Sequence, residues 1–145
     1  MVLSKSCAYA IRAMVCLDTL SNEDFVSIQS LSEQLGVSFY FLTKILQRLS
    51  AEGMLESYRG PKGGVKLLKS AKDITLFEVI VIIDGESALN ECVLGLKQCG
   101  DEQPCCLHQE AKKNREELKT LYRIKTIRDL SLRERKGECV GVVLS

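Results

Sequence analysis

The segment VSIQSLSEQLGVSFYFLTKILQRLSAEGMLESYRGPKGGVKLLKS, residues 26–70, constrains the fold more than any other. Ser27 precedes Ile28, Leu31 and Leu35 at helical spacing, and Gly36 stands where a helix ends in a left-handed residue. A second helix opens at Ser38, buries Leu42, Ile45, Leu46 and Leu49, and ends at Gly53. Two helices joined by LGVS have the spacing of a helix-turn-helix, in which the second presents its N-terminal residues to a DNA major groove. The same spacing also suits an ordinary helical hairpin. Beyond Gly53 the chain reads as strand Leu55 to Tyr58, the tip RGPKGG, and strand Val65 to Leu68. A basic hairpin directly after a helix-turn-helix is the layout of a winged helix, with Arg59, Lys62 and Lys66 near the tip. A plain surface hairpin with solvated charges is the alternative.

Helices flank this unit. Ser4 can cap a first helix from Lys5 to about Leu20 that buries Cys7, Ile11, Met14 and Val15, with a polar break at SNED. TLFE at Thr75 to Glu78 reads as a capping box that launches a short apolar helix ending at Asp84 and Gly85. LHQEAKKNREELKTLY is a long charged helix with Ala111, Leu118, Leu121 and Tyr122 on one side, and TIRD at Thr126 begins another short one. A polar helix beyond a compact domain can bury its stripe against a second copy of the chain or fold back on its own core. The expected fold class is mainly α with a small β wing: a winged helix-turn-helix domain plus a long C-terminal dimerisation helix. Its parts divide as a DNA-binding unit at 1–84, a cysteine-rich loop at 85–108, and the dimerisation helix with its tail at 109–145.

At 145 residues the chain can bury one core without disulfides or a metal. The longest apolar run, ITLFEVIVII, has ten residues and contains Glu78, about half of a membrane span. The N-terminal stretch, broken by Arg12 and Asp18, lacks the form of a signal peptide. A cytoplasmic chain with no membrane partner is expected. Net charge is +1, yet residues 38–70 carry six basic against two acidic side chains, the first place to look for a polyanion contact.

Four of seven cysteines and the single histidine fall within ECVLGLKQCGDEQPCCLHQ, residues 91–109. In a reducing compartment such a cluster points to metal or redox chemistry rather than to structural disulfides. Six residues separate Cys92 from Cys99, five separate Cys99 from Cys105, and two separate Cys105 from His108. Three thiolates and an imidazole make a complete four-ligand set that suits iron-sulfur clusters, zinc or copper(I). Structural zinc usually takes close C-x2-4-C pairs, whereas this looser loop around Gly95 and Gly100 can drape over a larger inorganic core. Zinc and a thiol switch stay open on spacing alone. Cys106 is a spare thiol beside the set, Cys7 and Cys16 read as small buried hydrophobes, and Cys139 lies in a tail without pattern. Cys105 or Cys106 with His108 could make a nucleophile and base. The chain nevertheless shows no phosphate-binding glycine loop and no second acid/base constellation, so an enzyme is not expected.

With YAIRAM, the helix-turn-helix, RGPKGGVKL and the C-x6-C-x5-C loop followed by LH in place, residues 1 to 135 resemble the Rrf2 family of bacterial transcription regulators. RGPKGG matches that family's RGPxGG signature, and the loop marks its cluster-binding branch. The resemblance implies a homodimer joined through the helix near residues 105 to 123, one cluster per subunit, and a palindromic site on double-stranded DNA. It implies Ser38 and Tyr40 as phosphate or base contacts, Thr43 and Lys44 as major-groove readers, and Arg59 in the minor groove. Hydroxyls and amides at a helix N-terminus bind phosphate, and an arginine on a glycine-framed tip suits a narrow minor groove. Cys92, Cys99 and Cys105 match the family's thiolate ligands, and the spacing to His108 resembles the IscR-like branch, which implies a 2Fe-2S cluster. NsrR-like members complete a 4Fe-4S site with a carboxylate near the N-terminus, but SKSCAYA offers no acid there. Two features depart from the IscR-like pattern: a first gap of six residues rather than five, and the added Cys106.

Overall fold

The structure is a computed structural model that describes residues 3–20, 24–139 and 141–142. Most of the polar break at 21–23 lies outside the described residues. The elements run α1 (Lys5–Thr19), α2 (Ile28–Leu35), α3 (Phe39–Ala51), β1 (Leu55–Tyr58), β2 (Gly64–Leu67), α4 (Leu76–Asp84), α5 (His108–Ile124) and α6 (Ile127–Arg135). Short 3-10 turns at Ala71–Asp73 and Glu86–Leu89 flank α4.

Local chemistry accounts for the boundaries. Ser4, Ser27 and Ser38 each cap a helix by accepting the amide three residues on, that of Cys7, Ser30 and Phe41. Gly36 closes α2 at φ 68°, which only glycine adopts without cost. Thr75 accepts the Glu78 amide at 3.2 Å, but Glu78 does not complete the reciprocal box; its carboxylate lies 3.6 Å from Lys69 instead. The complete capping box is at Thr126, where Asp129 reaches back to the cap amide at 2.9 Å.

Helix α1 runs through the middle, packed against α2, α3, α4 and α6, and every apolar position expected on its inner face is buried. Leu31 and Leu35 of α2, the four leucine and isoleucine positions of α3, and Ile80 and Leu89 join it in one core. Strands β1 and β2 pair antiparallel, Leu55 opposite Leu67 and Tyr58 opposite Gly64, so β2 ends one residue before the expected Leu68. Val26 adds a third edge to the wing, exchanging both backbone hydrogen bonds with Val65 at 2.8 and 2.9 Å. The wing is thereby tied to the segment that leads into α2.

The C-terminal helices return to the core. Thr75 bridges Thr126, and Ile127 is fully buried. Asp18, 2% exposed, accepts from the Arg128 guanidinium at 2.9 and 3.1 Å and from the Ser131 hydroxyl, which locks α6 onto α1. Helix α5 packs on α4 and leaves Leu121 and Ile124 exposed, so its stripe is only partly covered by its own chain. Among the described residues, no helix is long and apolar enough to cross a membrane.

Candidate nucleic-acid interface and cysteine centre

Helix α3 and the wing face each other across a cleft of about 500 Å³. Thr43 and Arg59 line it; Ser38, Tyr40 and Lys44 do not. Ser38 uses its hydroxyl for the helix cap, 3.1 Å from the Phe41 amide. Tyr40 is 79% exposed, its ring meeting Phe39 edge-on at 5.9 Å, and Lys44 is exposed. Thr43 donates to the Phe39 carbonyl at 2.7 Å, so its hydroxyl is already engaged within the helix. Sequence reasoning missed Gln29, Gln47 and Ser57, which also line the cleft. Gln47 could have been found, because it lies one turn beyond Thr43 on the same helix face.

Residues 90–107 form a loop of successive tight turns between the buried Leu89 and the start of α5. Gly95 donates to the Cys92 carbonyl at 2.9 Å, Cys99 to that of Leu96 at 3.1 Å, and Gly100 to that of Gln103 at 3.2 Å. Gly95 takes φ 73°, which this turn demands. The turns bring Cys92, Cys99 and Cys105 together, with all three Sγ atoms within 4.8 Å of one another. Cys92 Sγ and Cys105 Sγ are 3.7 Å apart, and His108 Nδ1 is 3.3 Å from Cys99 Sγ. His108 is the first residue of α5 and only 5% exposed, and its Nε2 meets Asp101 at 2.9 Å. Lys112, one turn along α5, holds the same carboxylate at 2.8 and 2.9 Å. Asp101 and Lys112 carry no cysteine or histidine signal, so spacing alone did not single them out.

The electrostatics treat the thiols unequally. Hydrogen bonds to the backbone at Leu96 and Leu94 bring Cys92 down to about 7, so much of it is thiolate near neutral pH. The Cys105 amide pulls Cys99 the same way, but desolvation and the neighbouring Cys105 and Cys92 thiols outweigh it and leave Cys99 raised. Lys112 and then His108 hold Asp101 down at about 2. The lowered Cys92 thiol is readied for a metal, whereas Cys99 must release a proton on binding one. Cys106 and Cys139 are exposed and outside the group of close thiols, whereas Cys7 and Cys16 are buried in the core.

Comparison with known proteins assigns the chain. The model of the Rrf2 family, described as iron-dependent transcriptional regulators, matches residues 3–132. This chain belongs to the Rrf2 family. It is similar to the transcriptional regulator IscR of Photorhabdus laumondii, 33% identical over 108 residues that cover 74% of the chain. That match spans 65% of the relative's length, just under two thirds. Its fold resembles the solved structures of T. potens IscR (TM-score 0.75, 21% identity, 97% of this chain and 93% of that one) and of CymR, the global cysteine regulator of B. subtilis (TM-score 0.73, 22% identity, 90% and 96%). Rrf2 membership makes the chain a DNA-binding transcription regulator rather than an enzyme.

Proposed function

We propose that this Rrf2 protein couples operator binding to the state of an iron-sulfur cluster, 2Fe-2S rather than 4Fe-4S, held by Cys92, Cys99, Cys105 and His108. One observation carries the reading: the loop converges three thiols and the imidazole on one point, with Cys92 Sγ 3.7 Å from Cys105 Sγ and His108 Nδ1 3.3 Å from Cys99 Sγ. Two ligands about 2.3 Å from one tetrahedral ion stand about 3.8 Å apart, so either pair could share a metal; with all three Sγ atoms within 4.8 Å of one another, the two pairs would have to draw apart to span a two-iron core. When bound, the cluster supplies a site that can be oxidised, reduced, lost or nitrosylated.

The chain's own residues carry that change to DNA. Cys92 lies beyond the end of α4 and His108 opens α5, so joining these donors ties two helices across the loop. Helix α4 in turn packs on α3, where the Arg48 guanidinium donates to the Ile82 carbonyl at 2.7 Å. The order of the loop thus biases the placement of α3, whose Thr43 and Lys44, with Ser38 and Tyr40 at its start, face the major groove while Arg59 reaches the minor groove. A homodimer through the uncovered side of α5 would present two such units to a palindromic operator.

Anaerobic purification, then iron, sulfide and zinc counting and an absorption spectrum, tests the cluster. About two irons and two sulfides per chain are expected, and a Cys92→Ala protein should lose both along with the cluster-dependent difference in operator affinity. Equal affinity for every target whatever the iron content would overturn the coupling. The compactness of the three thiols favours a second reading, a single structural zinc, which the same count reports as one zinc without sulfide.

A further inference from the structure

We infer that Asp101 is a positioning residue for the centre: it fixes His108 as the Nε2–H tautomer, so that the Nδ1 lone pair faces the thiols. This deepens the reading of His108 as a ligand and rests on it. The geometry is a chain of contacts, from Lys112 Nζ to both Asp101 oxygens, from Asp101 Oδ1 to His108 Nε2 at 2.9 Å, and from His108 Nδ1 to Cys99 Sγ at 3.3 Å.

A carboxylate can only accept, so the hydrogen in a neutral ring must sit on Nε2. In the opposite tautomer two acceptors would confront each other at 2.9 Å, and the Asp101 carboxylate, 70% exposed, would turn away into solvent and give up the contact to the buried ring. Nδ1 is then left as an acceptor. In the metal-free chain it can take the Cys99 S–H, and when a metal enters, that lone pair needs no tautomer exchange before it binds. Lys112 makes the arrangement more than a chance contact. It lies four residues from His108 on the same face of α5, so one helix turn carries both the ring and the cation that holds the ring's partner. The backbone of His108 is also fixed, its amide donating to the Cys105 carbonyl at 3.1 Å. Orientation of the imidazole is what Asp101 adds to a ring whose position is already set.

The chain has a single histidine, so its imidazole can be read without assignment. Nitrogen-15 NMR of histidine-labelled, reduced, metal-free protein at pH 8 is expected to show one neutral tautomer, Nε2–H. In Asp101→Ala the same signal should become a mixture of tautomers. A wild-type ring protonated on Nδ1, or an Asp101→Ala ring indistinguishable from wild type, overturns the inference. Cobalt(II) titration provides the second measurement: Asp101→Ala should weaken binding about 10- to 100-fold. Asp101→Asn, which keeps an oxygen acceptor, should recover part of that loss. In a His108→Ala background, Asp101→Ala should have no further effect, because the residue it positions is gone. An equal loss with and without His108 would show a general effect on the loop and overturn the positioning role. Cobalt binding by His108→Ala that matches wild type would instead overturn the reading of His108 as a ligand, a different failure from the one in which His108 matters and Asp101 does not.

Discussion

Burial divides the seven cysteines three ways: Cys7 and Cys16 are buried, Cys92, Cys99 and Cys105 half-buried, and Cys106 and Cys139 exposed. Burial first, and the Asp84 charge second, push the Cys7 thiol up to about 12; burial and Glu134 push Cys16 to about 11. A thiol raised in the folded state stabilises the fold fully below its ordinary value of 9.0, and that contribution is lost as pH rises through the folded value. Urea midpoints should therefore fall from about pH 9 upward, and Cys7→Ala should make that alkaline decline shallower even though its midpoint at pH 7 is lower. Thiol reagents should modify Cys106 and Cys139 at once in the native protein and reach Cys7 and Cys16 only after unfolding. The sequence already marked Cys7 and Cys16 as small hydrophobes, because their helical spacing placed them on the inner face of α1. Spacing placed Cys105 in the ligand set and left Cys106 as a spare thiol; which of two adjacent thiols turns inward depends on the turn before them.

The wing depends on one glycine more than on its charged residues. Gly64 sits at φ 155° with its α-carbon so close to the Val26 edge that an added Cβ would collide with the Val26 carbonyl. Gly64→Ala must break the Val26–Val65 pairing or shift the hairpin, at about 1–3 kcal/mol, measurable by urea unfolding. Arg59→Ala, at the exposed tip, should leave stability unchanged and cost about 1–3 kcal/mol in operator affinity if Arg59 reads a base or groove shape. Equal loss on every sequence with a shallower salt dependence would make it a phosphate contact. The hairpin was legible because the glycine-proline tip and the flanking apolar pairs are local signals. The third edge at Val26 was not, since an isolated bridge between residues 26 and 65 leaves no periodicity in either stretch.

Across the whole molecule, Asp18 and the outer side of α5 play opposite parts. Asp18 joins the chain's first and last described helices from a buried position, and Asp18→Ala should cost about 1.5–3 kcal/mol by removing charge-assisted hydrogen bonds to Arg128 and Ser131. A thermal melt of that variant is the check. Helix α5 keeps Leu121 and Ile124 45% and 66% exposed. If the proposed homodimer forms through α5, Leu121→Glu should shift the protein toward monomer in sedimentation at micromolar concentration while leaving its thermal melt in place. An unchanged mass would remove α5 as the dimer seam.

By itself the sequence determined most of what rests on neighbours along the chain, though at Thr75 it expected a full capping box where Glu78 turns to Lys69 instead. The serine caps, the helical faces of α1, α2 and α3, the wing's turn and the residue types of the cysteine loop all depend on contacts within a few positions, where side-chain chemistry and spacing suffice. Tertiary structure alone decided which groups meet across the loops. It paired Cys92 with Cys105 and His108 with Asp101, opened the cleft to Gln29 and Gln47 as well as to Thr43 and Arg59, and turned α6 back onto Asp18. Such meetings are set by how packed helices orient the ends of the segments between them, and no single stretch of residues encodes that orientation.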